Sequence, residues 1–179
     1  MVLLGCTPPG RLTEQHDIFF GIANSLKELI PEMQAFWPEA NGKIHVDAWR
    51  TVTHVGFHQI EVVNKADAQP KVEALFFINL GGYRPNEFDE PHYKILLVAS
   101  EKSIAIKEAK QTGFYKHTGF KGAASHVDDK FGVDVDDVFE IEDILPAKIR
   151  AKYALKISVH TNMSEDEMNL GYLPLTKIF

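Results

Sequence analysis

One cysteine in 179 residues leaves Cys6 without an intrachain partner, so no internal disulfide framework can hold this fold together. The usage fits a reducing compartment. Long apolar runs are missing too, and with them any stretch of membrane-span length. Leu3-Leu4-Gly5-Cys6 has the outline of a bacterial lipoprotein cleavage box, but only Met1 and Val2 precede it, so the basic and apolar segments of a signal peptide are not there. Positive charge is scarce: a formal charge of −6 and a pI of about 5.7 argue against a surface shaped to neutralise nucleic-acid phosphates. Lys102, Lys107, Lys110, Lys116, His117 and Lys121 form a basic stretch, yet Glu101 and Glu108 interrupt it and it reads as a solvated helix face. Also lacking are a Walker loop, a Gly-x-Ser-x-Gly elbow, a dinucleotide glycine fingerprint, a zinc-protease helix and a Cys-x-x-Cys pair. The expectation is a cytoplasmic protein with neither membrane nor nucleic acid as partner.

What remains is globular composition, 45% hydrophobic and 25% charged, in a chain long enough to build one core without staples. Its most informative feature is self-similarity. Shifting the chain by 76 residues aligns Leu4-Gly5 with Leu80-Gly81, Pro9 with Pro85, Glu14 with Glu90, His16 with His92 and Ala23 with Ala99, without a gap. His45-Val46-Asp47 recurs as His126-Val127-Asp128, now 81 residues on, which puts an insertion in copy two within 113–122. The pattern predicts an α+β fold: a tandem duplication of a strand-strand-helix-strand unit about a pseudo-twofold axis. The first unit spans 1–63, a linker 64–73, the second unit 74–160 and a C-terminal arm 161–179, all in one compact body that forms a homodimer.

Local signals fill in each unit. Val2 to Leu4 is a short strand broken by Thr7-Pro8-Pro9-Gly10, and a second strand runs through Ile18 to Ala23. Ser25 and Glu28 fit a capping box before an apolar stripe of Leu26, Leu29, Ile30, Met33, Phe36 and Trp37, with Pro31 requiring a kink or a restart. At least one of Phe36 and Trp37 should therefore be core. In copy two, Leu75 to Leu80 is a strand, Gly81-Gly82 its turn, Ile95 to Ala99 the next strand, and Ser100 caps a helix to about Lys110. Phe57–Val63 and Tyr153–Val159 close the units as alternating strands. Gly171 to Phe179 is apolar and reads as an arm that docks on a surface.

The chemistry-bearing residues are those that recur. Glu14-x-His16 and Glu90-x-His92, like His45-x-Asp47 and His126-x-Asp128, place a carboxylate and an imidazole two residues apart, on one side of an extended segment. Such groups could ligate a divalent metal, or pair a general base with its orienting partner. The competing reading, and the expected one, is scaffold: each imidazole ties down the loop that opens its strand. Asp134, Asp136 and Asp137 have the spacing of a calcium loop, but Val138, Phe139 and Leu145 stand where later ligands belong, so they read as a solvated edge or helix start.

Leu4-Gly5, Pro9-Gly10, Glu14-x-His16-Asp17, Ile44-His45-Val46-Asp47 and Leu80-Gly81-Gly82-Tyr83 together give a chain that resembles the bacterial family catalogued as domain of unknown function 1543. The resemblance covers roughly Met1 to His160. It implies a domain that occurs singly or in pairs and carries no established activity, so it transfers no catalytic residue. Tyr93 stands where copy one has Asp17, so a site needing that aspartate exists once. The expected function is a binding or interaction module. The alternative is a small-molecule enzyme or metal-binding protein using Glu14, His16, His45 and Asp47.

Overall fold

The computed structural model describes residues 1–82, 86, 88–111, 133–160, 164 and 166–179. His126, Asp128, the expected insertion at 113–122 and the basic residues Lys116, His117 and Lys121 lie outside them. In chain order the elements are β1 (Val2–Cys6), β2 (Gln15–Phe19), α1 (Ile30–Phe36), β3 (His45–Trp49), β4 (His54–Val55), β5 (His58–Asn64), β6 (Ala74–Gly82) and β7 (His92–Ala99). Then follow α2 (Lys102–Ala109), β8 (Val133–Glu140), α3 (Ile141–Ile144), α4 (Ala147–Lys152), β9 (Tyr153–Val159) and β10 (Asn169–Pro174). Among the described residues all pairings are antiparallel, in three sheets ordered β10-β3-β1-β2, β4-β5-β9 and β7-β6-β8. The fold is α+β.

Alternation along the central strands explains the layers. Val2, Leu4 and Cys6 on β1 face α1 and bury with Leu29, Met33 and Val46, while Leu3 points to the other side of the sheet. Phe76, Ile78 and Leu80 on β6 likewise face α2 through Ala105 and Ala109. The remaining faces meet in a central core where Ile18 and Phe20 pack with Leu75, Phe77, Leu96 and Val98. The Phe20 and Phe77 rings stand 5.4 Å apart there.

Several expectations are refined by pairing. Gly81 and Gly82 do not form a turn: they end β6, where Gly81 pairs with both His92 and Asp134, and Gly82 with Val133. Two glycines in a row signal a turn only when no neighbouring strand claims their backbone, and here two strands do. β2 starts at Gln15 rather than Ile18, because Cys6 and Gly5 carry the ladder out through polar residues. Asp134 and Asp137 lie in β8, not in a helix start. Pro31 sits in the first turn of α1, the restart, after a separate 3-10 turn at Lys27–Leu29. The Ser25 hydroxyl accepts a hydrogen bond from the Glu28 amide at 3.4 Å, and the Glu28 carboxylate accepts one from the Asn24 amide at 3.2 Å, a capping box shifted by one residue.

The helix stripe divides unevenly. Met33 is wholly buried, whereas Phe36 is 43% exposed and rests edge-on against Phe19 at 5.6 Å. Trp37 is half-buried against the first core. Phe36→Ala should therefore cost only about 1 kcal/mol, well below the 3 to 5 expected of a buried ring, while Met33→Ala should cost about 2 to 5 kcal/mol. Urea midpoints of the two variants check the order, and equal losses would contradict the burial pattern.

The C-terminal arm docks as a strand. β10 pairs with β3, and Leu175 and Ile178 enter the first core. Ahead of β10, the nearly buried Asp166 carboxylate accepts hydrogen bonds from the Thr53 amide (2.8 Å), the His54 amide (3.0 Å) and the Thr53 hydroxyl (2.5 Å). Burial works to raise its pKa, but those hydrogen bonds outweigh it and hold the carboxyl below its ordinary 3.8. A depressed carboxyl stabilises the fold fully above its unfolded value and loses that contribution as pH falls through the folded one. Asp166→Asn should thus lower the urea midpoint at pH 7, by about 1 to 3 kcal/mol of stability. The gap to the parent protein should narrow below pH 4, and a gap independent of pH would remove this role.

Candidate functional site

The site begins with a row across the first sheet. Gly5 pairs with His16 on one side and His45 on the other, and His45 pairs in turn with Pro174. Residues directly opposite in antiparallel strands project to one face, so two imidazoles flank a position with no side chain. The His45 ring leans over Gly5. A Cβ at Gly5 would collide with Asp47 Oδ2 and His45 Nε2, so the missing side chain is what makes room for the cluster.

A β-bulge aims the next group. Leu3 pairs with Ala48 and Leu4 with Val46, which leaves Asp47 as the extra residue of β3. Asp47 Oδ2 lies 3.3 Å from both His16 Nε2 and His45 Nε2. Glu14, two residues before His16, spans the other side: Oε1 is 3.0 Å from His45 Nε2 and Oε2 is 3.7 Å from His16 Nε2. The four groups close a ring in which imidazole and carboxylate alternate. The His45 side chain is 9% exposed and that of Asp47 23%, while Glu14 at 45% and His16 at 41% face solvent. On the β10 side the Tyr172 ring lies 4.4 Å from that of His45, tilted by 41°.

Despite these distances, His45 Nε2 and Asp47 Oδ2 are buried with no hydrogen-bond partner. The ring nitrogen lies 3.0 and 3.3 Å from two carboxylates without a hydrogen bond to either. Buried polar atoms are rarely left so, and where they are, an ion or a catalytic role is a standard explanation. Among the described residues no three His, Cys, Asp or Glu side chains stand in ready-made metal geometry. The exposed Glu14 and His16 would have to turn inward to complete one. Cys6 does not contribute: it faces α1, and burial, with the Glu14 carboxylate, raises its thiol pKa.

The other sequence candidates are dispersed. His92 is exposed on β7 opposite Gly81, and Glu90 is half-buried just before it; both have interaction partners. The register positions beside Gly81 and Leu80 on β8 are Asp134 and Val135, so the residue across from Gly81 is an aspartate, not His126. His54 joins Asp166 at 3.5 Å and His58 joins Glu73 at 3.5 Å, apart from the cluster. Two contributors could not be found by spacing: Gly5, whose part is its missing side chain, and Tyr172, which arrives from the far end of the chain.

An α+β body with an imidazole-carboxylate cluster at one sheet end is the class that fold and site define. Residues 11–62, which contain Glu14, His16, His45 and Asp47, match the model of a family described as Domain of Unknown Function (DUF1543). The family resemblance read from the sequence holds over that segment. The chain is also similar to the crystal structure of a protein Il1583 from Idiomarina loihiensis, with a TM-score of 0.63 and 20% identity over 97% of this chain and 94% of that one. At that identity the likeness is one of fold. No curated protein matches the sequence. Neither description carries an activity, so no function is established by similarity. No helix among the described residues is long and apolar enough to cross a membrane.

Proposed function

We propose that the chain is a binding protein for a divalent transition-metal ion, Zn²⁺ the best suited, held between His16, His45, Asp47 and Glu14. The observation that carries this reading is the buried His45 Nε2 and Asp47 Oδ2, which make no hydrogen bond within a ring of donors. Donors about 2.0 to 2.1 Å from a tetrahedral Zn²⁺ stand about 3.3 Å from one another. The four imidazole-carboxylate separations, 3.0, 3.3, 3.3 and 3.7 Å, run through both Glu14 oxygens and leave Glu14 and His16 to turn inward before the set closes on one ion. Two carboxylates balance a double positive charge, and imidazole favours zinc over magnesium or calcium.

Calorimetric titration of chelator-treated protein tests it. One Zn²⁺ per chain should bind, and at a hundredfold excess over Kd it should add about 2.7 kcal/mol of stability, roughly 5 to 10 °C in Tm. Mg²⁺ should do neither. Absence of binding and an unmoved Tm with Zn²⁺, Ni²⁺ and Mn²⁺ would sink the reading in favour of scaffold histidines.

The same register supports the duplication as part of this proposal. The orders β3-β1-β2 and β8-β6-β7 correspond, Gly5 pairs with His16 as Gly81 does with His92, and a bulge interrupts both ladders at the matched steps Leu3/Leu4 and Asn79/Leu80. β5 and β9, the closing strands of units 1–63 and 74–160, pair with each other along their whole length, as a pseudo-twofold axis between them requires. In that alignment Asp134 and Asp136 take the positions of His45 and Asp47. The second unit then has one imidazole fewer at these positions, and among the described residues the cluster occurs once. A cytoplasmic homodimer completes the reading, with light scattering of the purified protein as the check on assembly.

A further inference from the structure

A cavity lies at the Met1 end of β1, away from Gly5, and the metal reading leaves it unused. It encloses about 690 Å³, within the range of roughly 300 to 1,000 Å³ typical of small-molecule sites. It is a seam between cores. Val2 and Leu29 of the first core and Leu75 and Ile141 of the central core line it, and all four are buried. Exposed Asn24, Ser25 and Thr51 also line it and mark its mouth.

Its side-chain charge is one-sided. Among the described residues Arg50 and Lys177 are the only charged side chains lining it, both positive, and neither has an ion-pair partner. Met1 and Phe179 also line it and bring the terminal amino group and carboxylate, but no Asp or Glu side chain is there to favour a cationic ligand. A guanidinium offers a carboxylate two parallel donors, and a lysine at the rim adds a mobile second charge. The apolar floor has nothing to satisfy the hydroxyls of a sugar or the second charge of a dianion.

We propose that this cavity binds an amphipathic monocarboxylate, its acyl body on the Leu75 and Ile141 floor and its head between Arg50 and Lys177. The site is independent of the metal cluster, and the test keeps it so by including a chelator throughout. The chain has two tryptophans, and Trp49 lines the cavity, so a Trp37→Phe background reports on it alone. Decanoate should shift Trp49 emission saturably and bind at least tenfold more tightly than decylamine of equal length. Arg50→Met or Lys177→Met should weaken decanoate about tenfold while leaving decanol unchanged. Lys177 is exposed, so its variant remains informative if the Arg50 variant folds poorly. Ile60→Trp, which fills the cavity, should abolish binding of both. The proposal is overturned if decanoate gives no saturable signal below its micelle concentration, or if decylamine binds as well as decanoate does.

Discussion

His45→Ala is expected to lower zinc affinity at least a hundredfold, and His16→Ala to do the same with almost no change in the unfolding midpoint of the metal-free protein. Loss of an outer-shell partner typically costs a metal site ten- to a hundredfold, so loss of a direct ligand should cost more. The contrast in stability follows from exposure. The His16 side chain is 41% exposed, and when it is removed Asp47 Oδ2 keeps His45 Nε2 at 3.3 Å, so the loss opens no cavity in the interior. His45 is 7% exposed, and truncating it opens a gap under the Tyr172 ring. Were His16 scaffold, its alanine variant would instead lose about 1 to 3 kcal/mol and leave zinc binding untouched, so calorimetry and a urea titration on one variant separate the two. Because ligands must shed protons to bind a metal, the affinity should also fall as the pH is lowered.

Gly5→Ala is the second large effect, and it should strike fold and site together. The added methyl group would overlap Asp47 Oδ2 and His45 Nε2 on a strand paired on both sides. β1 cannot move away without breaking a ladder. Overpacking of this kind costs about 1 to 3 kcal/mol, or roughly 3 to 10 °C in Tm for a chain of this size. The displaced imidazole and carboxylate should no longer reach one centre, so zinc binding should disappear even in the fraction that remains folded. A variant with unchanged Tm and full zinc affinity would mean that the donors do not depend on the glycine gap.

How much of this could be read beforehand varies with the range of the interaction responsible. Glu14 with His16, and His45 with Asp47, were legible because alternation along an extended chain is a local rule. Their convergence was legible only as a condition, since it depends on β2 and β3 both pairing with β1. The bulge at Asp47 has no local signature, and Tyr172 reaches the site through a pairing of β10 with β3 from the opposite end of the chain. Gly81-Gly82 misled for the same reason: turn propensity is a property of a few residues, while strand membership was decided by His92 and Val133. Phe36 fitted the helical stripe but falls at its edge, where periodicity does not distinguish a buried ring from one lying on the rim. The match of His126-Val127-Asp128 to His45-Val46-Asp47 shows the limit of identity as a guide, because register puts Asp134 beside Gly81.

The placement of β10 has a kinetic consequence. The donors lie close in sequence, between Glu14 and Asp47, yet β3 gains its second neighbour only when Asn169–Pro174 arrives. Closing so long a loop is entropically slow, and such non-local pairings form late in folding. A metal ion would therefore meet a fully assembled pocket only after the barrier is crossed. Interactions absent from the transition state slow unfolding without speeding folding, so zinc would act as a lock on the finished sheet rather than as a template for building it.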